Sequence, residues 1–170
     1  MTETVEFPSN GGTARGYLAR PAGGTGPGVL VIQEWWGVIP ALEEMADRLA
    51  AGGFLALCPD LYHGAIAEHD EMDKAAQLMS EMPPDRAARD MSGAVDWLVE
   101  HGTGDRIGVV GFCMGGMLTF LIAASRPDVV TAAVPFYGFP QGDSEPDWSQ
   151  LAAVVRGHMA EHDDFFGPDG

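Results

Sequence analysis

One short segment, Gly111-Phe112-Cys113-Met114-Gly115, limits what this chain of 170 residues can become. An apolar run, Ile107 to Val110, leads into it, and a helix-like run, Met117 to Ser125, leads away. Strand, sharp turn and helix in that order hold the central side chain at the tip of the turn, in a strained backbone conformation. Glycines two residues before and after it let strand and helix approach without clashes. The tip lies over a helix N-terminus, where amide groups and the helix dipole favour negative charge, so a thiol there is expected to ionise more readily. The amide of Met114 points to where a tetrahedral oxyanion would form. The plain alternative is a small buried cysteine at a tight turn. A dinucleotide-binding loop fits less well, because no Gly-x-Gly-x-x-Gly can be written through these residues.

Around this turn, strands and helices alternate. Thr4 to Phe7 and Ala14 to Arg20 read as two strands about the hairpin signal Asn10-Gly11-Gly12. Gly28 to Gln33 is continuously apolar until its end, as in a strand buried on both faces. Pro40 opens a helix that repeats Leu42, Met45, Ala46 and Leu49 and stops at Gly52-Gly53. Phe54 to Cys58 is a further strand. A polar helix is predicted over Glu68 to Ser80, and another from Pro83-Pro84-Asp85 with Met91, Ala94, Val95 and Leu98 on one face. Arg106 to Val110 and Thr131 to Tyr137 read as strands flanking a helix from Gly116 to Ser125, and Leu151 to His158 as a last strand or a helix-to-strand step. The alternation predicts one domain over residues 1–170, of the α/β class: a mostly parallel sheet with helices on both faces. The run Met117 to Ala124 is apolar almost all round, so its helix must be covered on more than one side.

Charge narrows the function classes. There are 25 acidic residues against 9 basic, a net of −16, and Lys74 is the sole lysine. Nucleic acid and anionic membrane surfaces both require a basic footprint, so neither is an expected partner. No apolar run approaches the roughly 20 residues of a membrane span, and the N-terminus lacks the pattern of a signal peptide. The expected location is the cytoplasm, where Cys58 and Cys113 would be free thiols.

The cysteine turn is joined by Gln33-Glu34-Trp35-Trp36-Gly37 after the first buried strand, by Cys58-Pro59-Asp60-Leu61-Tyr62, and by Phe136-Tyr137-Gly138. With these motifs in this order, from about Val5 to Pro168, the chain resembles the dienelactone hydrolase family of the α/β-hydrolase fold. The resemblance implies Cys113 as the nucleophile that attacks an ester or lactone carbonyl. It implies Glu34 beside the thiol, holding its proton at rest, and the amides of Trp35 and Met114 as the oxyanion hole. Asp163 is implied as the acid of the triad, with Asp164 one residue away as its rival. Trp36, Tyr62 and Tyr137 are candidate pocket residues. Each has a plainer reading: Glu34 as a solvated strand end, the tryptophans as wall and core, the tyrosines as packing. The implied substrate class carries a carboxylate, for which Arg86 and Arg89 are nearby candidates. No cofactor or metal is implied. His158 and His162 have a spacing that suits a metal only on a helix, and Gly157 argues against one there.

One element of the family pattern is missing from the sequence as read. The triad histidine lies well beyond the aspartate in the family, whereas seven residues follow Asp163 here. None of His63, His69, His101, His158 and His162 stands in the expected context. The expectation is therefore a C-terminally truncated member with weakened turnover, its apolar layer and sheet edge exposed or covered by self-association. Three functions compete: a cysteine hydrolase of esters or lactones, a non-catalytic small-molecule-binding or oligomerisation module, and a redox-active thiol protein.

Overall fold

A computed structural model describes residues 2–9 and 11–163; Asn10 of the hairpin signal and Asp164 lie outside the described residues. A seven-stranded sheet in the order β1-β2-β4-β3-β5-β6-β7 organises the chain. β1 (Thr2–Ser9) and β2 (Gly12–Ala19) form the antiparallel hairpin that the glycine turn predicts, and β2 pairs antiparallel with β4 (Leu55–Pro59). The remaining pairs are parallel: β4 with β3 (Gly28–Ile32), β3 with β5 (Ile107–Phe112), β5 with β6 (Val130–Phe136), and β6 with the short edge strand β7 (Val154–Val155). Every residue of β3 and β4 is buried, which explains their unbroken apolar sequence.

Connection handedness then distributes the helices. From β3 the chain steps outward to β4, and from β4 it steps back across β3 to β5. Crossovers of one hand that run in opposite directions must use opposite faces of the sheet. Helix α1 (Pro40–Ala51) accordingly buries Leu42, Ala46 and Ala50 on one face, with Val29, Val31 and Phe112. Helices α3 (Pro84–His101) and α4 (Met114–Ser125) cover the other, where Met91, Val95 and Leu98 meet Leu30, Ile32 and Ile122.

Several boundaries differ from the sequence reading. Helix α2 spans Met72–Glu81 rather than starting at Glu68, because the Glu71 carboxylate turns back to accept the Glu68 amide at 2.9 Å and fixes a turn there. Strand β5 runs on to Phe112, and α4 begins at Met114, ahead of the glycine pair. The last strand shortens to Val154–Val155, with an isolated bridge from His158 to Phe136.

One side of the all-round apolar helix α4 is covered from within the chain. Phe120 meets Phe139 edge-on at 5.1 Å between ring centroids and Trp148 at 5.6 Å, and those two rings stack on each other. The Gly/Pro/Asp-rich loop after β6 thus carries an aromatic lid for the helix. Among the described residues the sheet has β1 at one edge and β7 at the other, where Val154 is 76% exposed. A separate polar anchor ties β1, α3 and the loop after β4 together. Buried Asp90 accepts from Ser9 Oγ at 2.5 Å and pairs with His63 Nε2 at 2.7 Å. A buried carboxylate needs such partners, and two side chains supply them.

Candidate active site

Strand register carries the geometry of the site. Ile32 of β3 lies opposite Gly111 of β5, so two residues further on Glu34 comes level with Cys113. Phe112 lies opposite Phe136 of β6, which brings Tyr137 alongside. These residues leave the carboxyl ends of adjacent parallel strands. The crevice between β3 and β5 is where the sheet order reverses, the position at which open α/β sheets bind their ligands.

Cys113 has φ 54° and ψ −118°, a left-handed conformation that costs a non-glycine residue of the order of 1–3 kcal/mol. Its surroundings impose it. The Cys113 amide donates to Phe136 O at 3.0 Å, and its carbonyl accepts from Gly116 N at 2.8 Å and Met117 N at 3.2 Å. A Cβ on Gly115 would sit 2.5 Å from both the Ile32 and the Gln33 carbonyl oxygens. Helix α4 therefore packs directly on the end of β3, and the turn has no freedom to relax.

The thiol does not behave as its place on a helix end suggests. Burial is the largest influence and raises its pKa. The Met114 amide, hydrogen-bonded to the sulfur, opposes this, while the charges of Glu34 and Asp163 raise it further. Desolvation and two carboxylates outweigh the helix terminus, so Cys113 rests as a protonated thiol. Replacing Glu34 by Gln removes one of the raising charges. Glu34→Gln should shift the pH profile of Cys113 alkylation by iodoacetamide to lower pH and speed it severalfold at neutrality. An unchanged profile would mean that Glu34 does not act on the sulfur.

Tyr137 O–H donates to Glu34 Oε1 at 3.0 Å, and the Tyr137 amide donates to His158 O at 2.8 Å. Tyr137 also sits at positive φ, 37°, so the turn after β6 is built to present its phenol to the carboxylate. A cavity of about 180 Å³ opens beside this pair, lined by Ile39, Leu42, Met45 and Phe112 among others. Tyr62 is buried and its hydroxyl lies 3.6 Å from Met114 Sδ. Burial, then the Cys113 charge, raise its pKa.

Trp35 occupies the turn after Glu34, which the Gly37 amide closes on Glu34 O at 3.3 Å. That turn leaves the same sheet end as the cysteine. Trp36 packs edge-on against Trp35 and lies 5.0 Å from His69, while its carbonyl holds the Ala67 amide. Glu34, Cys113, Met114, Tyr62, Tyr137 and the Asp163 charge thus come together, whereas the Trp36 ring meets Trp35 and His69.

Four histidines are engaged elsewhere: His63 with Asp90, His69 with Trp36, His101 stacked on Trp97, and His158 stacked on Phe136. His162 is exposed. Arg89 pairs with Asp85 at 2.6 Å on the surface, while Arg86 donates from Nη2 to Leu61 O at 3.2 Å and keeps a buried Nε without a hydrogen-bond partner among the described residues.

Sequence reasoning quoted Gln33 but gave it no role. It is fully buried, its Oε1 accepts the Leu61 amide at 3.1 Å, and it thereby joins the end of β3 to the segment carrying Tyr62. The available signal was a polar amide ending a wholly apolar strand, because a buried amide must find partners.

A strained cysteine turn at the switch point of a mainly parallel sheet, with helices on both faces, defines the α/β-hydrolase class. The sequence profile of the Dienelactone hydrolase family matches residues 14–170. Protein usf of Aquifex pyrophilus is 40% identical over 177 aligned positions, covering 99% of this chain and 75% of that protein. A provisionally named carboxymethylenebutenolidase of Aquifex aeolicus is 37% identical with the same coverage. The crystal structure of a provisionally named dienelactone hydrolase from Klebsiella pneumoniae superposes with a TM-score of 0.82 at 31% identity, covering 99% of this chain and 77% of that one. The chain belongs to the dienelactone hydrolase family, a family of hydrolases. No helix among the described residues is long and apolar enough to cross a membrane.

Proposed function

We propose that this protein hydrolyses a carboxylic ester or lactone through a thioester on Cys113. The observation that carries this reading is the level placement of Cys113 and Glu34 at the switch point, with the Met114 amide on the sulfur. In this reading the thiol proton passes to the Glu34 carboxylate as the sulfur attacks the carbonyl carbon. The carbonyl electron pair moves onto oxygen, where the amides of Met114 and Trp35 receive it. Collapse breaks the C–O bond, and the leaving alkoxide takes the proton back from Glu34. Water then adds to the thioester, giving a proton to Glu34, and the departing thiolate recovers it as the acid is released. Tyr137 orients the carboxylate, and Asp163, to which the family resemblance gives the acid's role, sets its negative charge near the sulfur.

The family membership and the relative named carboxymethylenebutenolidase support this class of substrate. Glu34 is the carboxylate that the strand register brings level with the sulfur, and in this reading it carries the proton. A thiol held protonated by burial and two carboxylates disfavours the redox reading, since peroxide oxidises the thiolate. The reducing cytoplasm is the compartment that suits this chemistry.

The test is trapping. Acid quenching during turnover of p-nitrophenyl acetate should leave an acetyl group on the peptide that contains Cys113, read by mass spectrometry. An acetyl group on any other side chain overturns the mechanism.

A further inference from the structure

A second, larger cavity lies behind the nucleophile turn. It measures about 740 Å³, in the range of small-molecule sites. Met79 and Met82 reach it from α2 and the residue after it, Met91 from α3, and Met114, Met117 and Leu121 from α4. Five of the chain's nine methionines line this one space. Thioether side chains are flexible and polarisable and adapt to apolar ligands of variable shape. The charged side chains among its described lining residues are Asp143 and Glu145, on the loop after β6. In a chain of net charge −16 that lining repels an anion and tolerates a neutral ligand.

Met114 joins this cavity to the chemistry. Its amide holds the Cys113 sulfur, while its side chain lines the cavity and receives the Tyr62 hydroxyl. Cys113 is not itself among the cavity's described lining residues, and Met114, the next residue, is the one shared by the sulfur and the cavity.

We infer that the methionine-lined cavity takes the uncharged aliphatic acyl chain of the substrate, so that the preferred substrates are neutral esters of longer-chain acids rather than carboxylate-bearing lactones. The inference rests on the reading of Cys113 as nucleophile, and its test separates the two. Wild-type kcat/KM is compared for p-nitrophenyl octanoate and acetate. The octanoate is expected to be favoured at least about tenfold, as buried methylenes add to transition-state binding. Leu121→Trp, which fills the cavity, should lower the octanoate-to-acetate ratio at least about fivefold. In parallel, N-methyloctanamide, which is not hydrolysed, is titrated into Cys113→Ala protein carrying ¹³C-methyl methionine. The Met79, Met82 and Met117 methyl resonances are expected to shift together.

Equal kcat/KM for the two esters, with hydrolysis still dependent on Cys113, overturns the cavity assignment and leaves the nucleophile reading in place. Methyl shifts with no hydrolysis of either ester support the cavity and overturn the nucleophile. Should Leu121→Trp fail to fold, the amide titration decides alone, and unshifted methyls overturn the inference.

Discussion

Cys113→Ala is expected to lower kcat/KM for p-nitrophenyl acetate by about a thousandfold or more, the scale of effect seen when a nucleophile is removed from a cooperating set. The chain offers no substitute. Cys58, the other free cysteine, is fully buried in β4, and burial followed by the charges of Glu43 and Asp47 pushes its pKa far up. A thiol that neither meets solvent nor ionises cannot take over the attack. Residual hydrolysis by Cys113→Ala should be no more than the oxyanion amides and binding alone supply. Steady-state rates on folded variant, with circular dichroism to confirm the fold, decide the matter. Activity equal to wild type would remove Cys113 from the mechanism.

Gly115→Ala should unfold at markedly lower urea, with a loss of roughly 3 kcal/mol or more, the range of severe overpacking. Its new methyl would meet two backbone oxygens, Ile32 O and Gln33 O, each at 2.5 Å. Neither can swing aside, because Ile32 ends the buried strand β3 and Gln33, fully buried, follows it. Gly108→Ala, in the strand that feeds the same turn, is the matched control. A Cβ there meets its nearest neighbour at 3.9 Å, and replacing a strand glycine by alanine is favourable by about 0.5–1 kcal/mol. Urea midpoints at constant m would report both changes. Similar midpoints for the two variants would show that α4 can lift from β3 without cost.

The layered fold was legible because its strands and helices announce themselves by length and periodicity. Wholly apolar β3 and β4, the Pro40 start of α1 and the stripe on α3 all read directly. The cysteine turn was legible for the same reason, as strand, glycine, nucleophile and glycine in register. Its helix start was not. Gly115 and Gly116 are poor helix formers, so the sequence reading starts the helix at Gly116 rather than at Met114. Close packing against β3 and β6 outweighs that preference, since only glycine fits there.

The thiol's ionisation was misread because a helix terminus is visible in sequence and desolvation is not. Contacts across large separations were hidden too. The His63–Asp90 pair and the Phe120–Phe139–Trp148 cluster join segments whose nearness exists only after the sheet has formed. The methionine-lined cavity is of this kind. Its lining comes from α2, α3, α4 and a loop, and no one segment carries a pattern for it.

The pairing of β3 with β5 has a consequence for how the protein comes to be active. Between those neighbours in space the chain threads α1, β4, α2 and α3. An early folded piece made of the hairpin, β3, α1 and β4 would already present Glu34 at a strand end, yet have nothing opposite it. Distant pairings of this sort close late, since the intervening chain must be ordered first. Recovery of ester hydrolysis during refolding therefore times the docking of β5, and should trail the return of helix signal rather than accompany it.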